Sequence, residues 1–325
     1  MPEALPENEY RKDYLLERWV IITAKRGKRP QEFVRKHEEK APEGEGACFF
    51  CPGNERLTPP EIDRIGDGRG GWLVRCFPNK FDAVGRDSPK AYGSHEIIIE
   101  TPRHGVRLAE LGAREFGLAL QMYRQRTAAL LKEKKMEYVL IFKNEGAAAG
   151  ASLAHTHTQL TALDRVPTLV QEEMDALKKY ARAGKKGKGA CAYCDVVKKE
   201  MKEGARKVYE NKDFFCFAPY APRFGFETWI FPKRHARSLV DLDAGEMAGL
   251  ADALRQTLRK LEKLLNKPDY NYYIHAAGRK KDDFHFHIEI CPRLGLWAGF
   301  EFGAGIYLNS MPPEQAAKAL RETQA

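Results

Sequence analysis

Most of the histidines and cysteines of this 325-residue chain fall into two sets with the same internal order. The first is Cys48-x-x-Cys51, then His104, then His155-x-His157; the second is Cys191-x-x-Cys194, then His235, then His285-x-His287. His104 precedes His155 by 51 residues and His235 precedes His285 by 50. Matching flanks strengthen the repeat. HEIIIETPRH (95–104) echoes FETWIFPKRH (226–235), and EYVLIFKNEG before the first His-x-His echoes DYNYYIHAAG before the second. Repetition at this scale indicates a duplicated unit.

Thiolate and imidazole are the ligands zinc prefers, four to a structural site in tetrahedral array. Cys48, Cys51, His104 and His155 supply one such set, and Cys191, Cys194, His235 and His285 the other, which predicts two zinc ions per chain. In a zinc finger the ligands sit inside one short module, with about 12 residues between the Cys pair and the His pair. His104 lies 53 residues beyond Cys51, so the metal here must pin separate elements of a larger domain.

The second histidine of the first His-x-His pair remains free for other chemistry. Alternate residues of a strand share a face, so His155 and His157 are expected side by side, one held by metal and the other open to a pocket. A neutral imidazole is a competent nucleophile near neutral pH. Upstream lies Asn144-Glu-Gly146-Ala-Ala-Ala-Gly150-Ala-Ser152, whose small residues let backbone amides approach a phosphate while Asn144 and Ser152 add polar hydrogen bonds.

The elements that must position these groups can be read from apolar periodicity. A strand is expected from 19, running through WVIITAKRGKRPQEF to 33, with central strands at 95–100 and 138–142. Helical spacing over 108–135 predicts a long amphipathic helix. The order recurs as strands at 214–217 and 226–231, a helix over 238–266, and strands at 270–275 and 284–290. A last helix covers 312–322. Gly and Lys in ARAGKKGKGA (181–190) mark the break, giving domains over 1–180 and 181–325. Each half is an α+β unit.

Composition narrows the class. The chain has 43% hydrophobic and 30% charged residues, and no apolar run long enough for a membrane helix. The polar, acidic N-terminus is unlike a signal peptide, so a cytoplasmic protein with reduced thiols is expected. Cys76, Cys216 and Cys291 read as buried apolar groups. The net charge of +9 is spread rather than gathered into one block, which suits a basic pocket for a phosphorylated small molecule better than nucleic acid.

The run N-x-G-x-x-x-G-x-S-x-x-H-x-H-x-Q over 144–159 resembles the active-site motif of the galactose-1-phosphate uridylyltransferase family, the transferase branch of the histidine triad superfamily. The resemblance spans essentially the whole chain. It implies an α+β fold of two duplicated histidine-triad-like domains, with mostly antiparallel sheets and long helices, in a homodimer. By the same resemblance His157 is the nucleophile, His155 a zinc ligand and Gln159 a stabiliser of the transferring phosphoryl group. RGKRP (26–30) and FPNKF (77–81) match nucleotide-binding segments. Arg26, Arg29, Asn79, Phe81, Asn144, Gly150 and Ser152 would then line the nucleotide, and Glu301 would touch the sugar.

The expected reaction passes a nucleoside monophosphate between hexose 1-phosphates through a nucleotidyl-histidine, UDP-glucose and galactose 1-phosphate giving glucose 1-phosphate and UDP-galactose. Hydrolases of the superfamily carry a third His where this chain has Gln159. Gln cannot give a proton to a poor leaving group, and a departing sugar phosphate needs none. Three departures from the family pattern stand close to the motif: Thr156 for a usual Pro, Thr158 for a frequent Gly, and Ala151 for a common Cys. GAS (150–152) together with GFEFGAGIYLN (299–309) resembles the subgroup that includes ADP-glucose phosphorylases, as does the second Cys pair, Cys191 and Cys194. Some relatives hold their second metal with one Glu and three His, for which Glu173, His275, His285 and His287 would serve here; the Cys pair favours zinc.

The second copy lacks the glycine-rich segment and carries Glu289 where the first has Gln159, so His287 is expected to be structural. A rival of another class is a non-catalytic, zinc-stabilised module that binds nucleotides or nucleic acid. It would bind oligonucleotides with steep salt dependence, whereas a transferase would exchange label between sugar phosphate and nucleotide sugar.

Overall fold

The computed structural model describes residues 7–23, 33, 48–183, 191–279 and 283–325. In chain order the elements are β1 (Glu9–Lys12), β2 (Trp19–Ile22), β3 (Asp63–Gly66), β4 (Trp72–Pro78), β5 (Gly93–Ile99), α1 (Ala113–Leu131), β6 (Tyr138–Glu145), β7 (His157–Leu163), α2 (Thr168–Arg182), α3 (Ala192–Glu203), β8 (Lys207–Glu210), β9 (Phe214–Phe217), β10 (Thr228–Pro232), α4 (Ala244–Leu265), β11 (Tyr270–His275), β12 (His287–Pro292), α5 (Gly299–Ala304), β13 (Ile306–Asn309) and α6 (Pro313–Glu322).

Ten strands form one sheet in the order β3-β4-β5-β7-β6-β11-β12-β10-β9-β8, and every pairing in it is antiparallel. Read outward from the β6–β11 pair, the two halves have matching strands. Thus β7 corresponds to β12, β5 to β10, and α1 to α4. The duplication inferred from the cysteines and histidines is therefore visible in the topology, and the two α+β copies share one continuous antiparallel sheet. A small sheet, β1-β2-β13, joins the two ends of the described chain, with β13 parallel to β2.

The largest core lies between one face of the sheet and helices α1, α4 and α6. Leu250, Leu254, Leu258, Leu261 and Leu265 recur along α4 at helical spacing and are fully buried, each contributing about 1.5–3 kcal/mol of apolar transfer. Asp243 starts this helix by accepting from the Glu246 amide at 2.8 Å, and Glu246 returns the bond to the Asp243 amide at 2.9 Å. On the opposite face α2 and α3 cover the second half, with Val170, Met174 and Leu177 packed among Phe215, Phe217 and Trp229. Although most of α2 lies before the break expected at 181–190, it thus buries its apolar side over the second copy's strands. Residues 184–190 lie outside the described residues.

Several boundaries differ from the periodic reading. The strand expected over 19–33 ends at Ile22, and the segment beyond Thr23 is outside the described residues apart from Phe33. The strand expected from 226 starts at Thr228, because Phe226 takes a left-handed conformation with φ of 63°. The helix expected from 238 begins at Ala244, since Ser238 caps a separate 3-10 turn over Leu239–Asp241. No helix among the described residues is long and apolar enough to cross a membrane.

Candidate nucleotidyl-transfer and metal sites

The Cys and His residues of each repeat converge. Cys48 Sγ lies 3.6 Å from His155 Nδ1, and Cys51 Sγ lies 3.5 Å from His104 Nδ1 and 3.7 Å from His155 Nδ1. In the second half Cys194 Sγ is 3.4 Å from His235 Nδ1 and 3.5 Å from His285 Nδ1, and Cys191 completes the group. Zinc about 2.3 Å from sulfur and 2.0 Å from nitrogen at the centre of a tetrahedron sets its ligand atoms roughly 3.5 Å apart. Both clusters have that spacing.

The far side of each ring supports the same fit. His155 Nε2 lies 2.8 Å from the Thr101 carbonyl oxygen and His285 Nε2 lies 3.0 Å from that of Pro232. A carbonyl only accepts, so each Nε2 carries the proton and each Nδ1 presents its lone pair to the cysteines. Burial and the adjacent Cys48 push the Cys51 thiol up to about 11.

His285 therefore sits with the cysteines. Glu173, His275 and His287 meet in a separate buried cluster that includes Glu289, with His275 Nδ1 3.0 Å from Glu173 Oε1.

The two His-x-His pairs straddle the starts of β7 and β12 rather than lying wholly within them. His155 and His285 precede the ladder, their backbone irregular where the side chain turns into the cysteine cluster, and His157 and His287 are the first strand residues. His157 Nδ1 lies 2.9 Å from the His155 carbonyl oxygen, so Nδ1 holds the proton and Nε2 keeps a lone pair. Burial, reinforced by the Lys143 charge, lowers the His157 pKa and favours the neutral ring.

His157 opens on a cavity of about 350 Å³ lined also by Phe50, Phe77, Asn79, Phe81, Ser152 and Gln159. Asn79, Ser152 and Gln159 are thus gathered around His157 as the motif implied. Phe81 stands at the rim, 85% exposed, with its amide donating to Asn79 Oδ1 at 3.0 Å.

Other expected residues sit elsewhere. Arg26 and Arg29 are outside the described residues. Asn144 lines a neighbouring cavity of about 430 Å³ over β6 and β11, with Asn271, Tyr273, Arg223 and Trp297. Glu301 borders neither cavity; its carboxylate accepts from the Ala298 amide at 2.9 Å and closes the start of α5.

The glycine-rich segment supports the pocket differently from a phosphate cradle. Gly146, at φ of 86°, is approached so closely by Asp269 that a Cβ would meet its carboxylate at 2.0 Å. Asp269 Oδ2 accepts from the Ala148 amide at 2.6 Å. The amides of Ala149, Gly150 and Ala151 bond to carbonyls of Gly146 and Ala147 within the same turn. The amides of 148–151 are therefore committed to the fold, and the segment following them carries Ser152 and Leu153 into the cavity.

Under His157 lies a buried network that the motif reading missed. Lys143 Nζ donates to Glu100 Oε2 at 2.6 Å, to Thr156 Oγ1 at 2.8 Å and to the His157 carbonyl at 2.9 Å. Thr156 and Thr158 donate to the two Glu100 oxygens at 2.8 and 2.6 Å, and Tyr123 adds its hydroxyl to the same carboxylate. The two threonines that depart from the family pattern thus share one partner. A Lys inside the apolar strand YVLIFKNE was the available signal, because such a position demands a buried counter-charge.

His95 was also missed. Its Nε2 lies 2.8 Å from Gln159 Oε1 beside the cavity.

The duplicate of this arrangement is closed. His287 is fully buried, stacked on Phe231 at 4.6 Å with an 11° interplanar angle and flanked by Phe284 and Tyr193. Glu289 is taken up by Arg223 and Tyr273. Cys76, Cys216 and Cys291 are buried as expected.

Comparison with known proteins agrees with the motif. Residues 86–167 match the family profile for the N-terminal domain of galactose-1-phosphate uridyl transferase, and residues 173–324 match that for its C-terminal domain. The chain is 33% identical to an ADP-glucose phosphorylase of Arabidopsis thaliana, over 97% of this chain and 92% of that one. It is 28% identical to a galactose-1-phosphate uridylyltransferase of Thermotoga maritima, over 97% and 98%. Among solved structures, an Arabidopsis thaliana ADP-glucose phosphorylase with bound ADP-glucose superposes with a TM-score of 0.83, at 31% identity, covering 98% of this chain and all of that one.

Proposed function

Because this chain belongs to the galactose-1-phosphate uridylyltransferase family, we propose that it transfers a nucleoside monophosphate from a nucleotide sugar through a covalent adduct on His157. One observation carries this reading. His157 Nδ1 is committed to the His155 carbonyl, and the ring borders a cavity that also holds Gln159 and Ser152. In the first step Nε2 attacks the α-phosphorus. The new N–P bond forms as the P–O bond to the sugar phosphate breaks, and the sugar phosphate leaves as an anion. In the second step an acceptor phosphate oxygen attacks the same phosphorus and the N–P bond breaks.

The positive charge that His157 acquires while carrying the phosphoryl group is met by the His155 carbonyl at Nδ1. Ser152 and the segment after the committed turn hold phosphate oxygens, Asn79 and Phe81 hold the nucleoside, and Gln159 donates to the moving phosphoryl group. Arg26 and Arg29 add positive charge opposite the phosphates, Gly150 closes the turn that leads into Ser152, and Asn144 faces the neighbouring cavity.

Each chain holds two zinc ions, at Cys48, Cys51, His104, His155 and at Cys191, Cys194, His235, His285. When bound, zinc supplies rigid anchoring of the strand ends. The first site fixes His155, and through it the residue two positions on.

The acceptor is galactose 1-phosphate if the nucleotide is UDP-glucose. The 33% identity to an ADP-glucose phosphorylase favours a second reading, in which inorganic phosphate takes an adenylyl group from ADP-glucose. The protein acts in the cytoplasm on small molecules, without nucleic acid or membrane, as a homodimer. Leu296, Phe300 and Phe302 are exposed beside Glu301, an apolar patch suited to a second copy, which would bring Glu301 to a sugar. Isotope exchange tests the reaction. Labelled glucose 1-phosphate should enter UDP-glucose or ADP-glucose without any second acceptor, as a ping-pong route requires, and absence of exchange with either nucleotide would refute it.

A further inference from the structure

His95 lies on the same face of β5 as Ile97, which lines the cavity, and it sits diagonally across the β5–β7 ladder from Gln159, which pairs with Ile97. Two contacts fix the state of its ring. The Ala83 backbone amide approaches Nδ1 at 3.3 Å, and an amide N–H can only donate, so Nδ1 is unprotonated. Nε2, 2.8 Å from Gln159 Oε1, then carries the proton of the neutral ring. Burial lowers the His95 pKa against the opposing pulls of Gln159 and Asp82, which keeps the ring neutral. Asn79 Nδ2 lies 3.5 and 3.3 Å from the two ring nitrogens and does not select between tautomers.

A donor at Nε2 decides which end of the Gln159 amide faces it. The oxygen turns toward His95 and the NH2 turns away. Among the described residues Gln159 makes no other side-chain hydrogen bond, and it borders the cavity in front of His157. A primary amide released from this contact would rotate between two orientations of similar shape. One of them presents oxygen to a phosphate, which is repulsive.

We propose that His95 is a positioning residue: by donating from Nε2 to Gln159 Oε1 it aims the Gln159 NH2 at the non-bridging oxygens of the phosphoryl group on its way to and from His157. This rests on the reading of Gln159 as the phosphoryl stabiliser. The gain is preorganisation, because the donor is already turned when charge develops on those oxygens.

The test compares two substitutions with opposite chemistry. His95→Phe keeps a ring against Phe142 but cannot donate; His95→Gln loses the ring but places an amide N–H near the old Nε2. Nucleotidyl transfer is followed over a range of concentrations up to saturation, using whichever of UDP-glucose and ADP-glucose labels the wild-type protein. His95→Phe should lower kcat about 10- to 100-fold with little change in KM, and His95→Gln should recover to within about threefold of wild type. In a Gln159→Ala background, His95→Phe should cost nothing further. A tolerated Phe with an impaired Gln would assign His95 to packing and overturn the proposal. So would a full loss from His95→Phe in the Gln159→Ala background. If Gln159→Ala alone transfers at the wild-type rate, the role of Gln159 falls and this proposal with it, while label on His157 would leave the transferase reading standing.

Discussion

Lys143 and Glu100 form an ion pair of 2.6 Å with both side chains completely buried, and the same ammonium donates to the His157 carbonyl at 2.9 Å. The pair therefore joins β6, the end of β5 and the first residue of β7, holding the backbone from which His157 projects. Burial alone would raise the Glu100 carboxyl, but Lys143, Thr158 and Tyr123 outweigh it and hold the group below the usual carboxylate range.

Removing one partner should be costly. Lys143→Met leaves the Glu100 charge buried without a cation and is expected to destabilise the protein by about 3–5 kcal/mol. Adding Glu100→Gln to that variant should restore part of the loss, because a neutral amide no longer needs the ammonium. Denaturant unfolding of the two variants checks both statements, and equal stability of the single and double variants would contradict them.

The same carboxyl predicts the response to acid. Its folded pKa is depressed, so its contribution is fully present above the ordinary glutamate value of about 4.3 and is withdrawn as pH falls through that value toward the folded one. Thermal unfolding from pH 7 downward should show Glu100→Gln less stable at neutral pH but with a flatter decline below about pH 5 than wild type. Parallel curves would mean that Glu100 is not held ionised by Lys143.

The cysteine and histidine spacing was legible because metal ligands are few in type and recur in fixed order, so both clusters assemble from the residues read in the chain. The inner strands of the large sheet were legible, but β3, β4 and β8 toward its edges were not, and neither was its continuity, since nothing in the periodicity of 138–142 and 270–275 announces that β6 and β11 pair. The network beneath His157 was hidden for another reason. Glu100, Lys143, Thr156 and Thr158 come from three segments, and a buried polar partner is defined by tertiary contact rather than by spacing. The glycine-rich turn shows the converse. Its composition suggests free amides, but Asp269, over a hundred residues away, occupies that of Ala148.

The two metal clusters should be separable. Protein purified without chelators should carry close to two zinc ions per chain by elemental analysis. Cys48→Ser and Cys194→Ser should each remove one, and each should lower the unfolding temperature. Full zinc content in either variant would remove that cysteine from its ligand set.

The two halves should not be equivalent in chemistry. His157→Ala should abolish nucleotidyl transfer while leaving zinc content unchanged. His287, enclosed by Phe231, Phe284 and Tyr193, borders neither cavity, so His287→Ala should still form the adduct when activity is normalised to folded, zinc-loaded protein. Nucleotide trapped on both histidines would overturn the assignment of a single reactive half.

The central claim is that His157 carries the nucleotidyl group. UDP-glucose and ADP-glucose labelled at the α-phosphate should be offered separately, without acceptor, and the protein digested to locate the label. One of them should leave a single nucleotidyl group on the peptide containing His157, lost in acid and retained in base as a phosphoramidate is. Because Gln159 supplies no proton, the adduct should outlast exposure to water. Galactose 1-phosphate should then discharge a uridylyl adduct, or inorganic phosphate an adenylyl one. Label on any other residue, or an adduct that water removes as fast as either acceptor, would contradict the account.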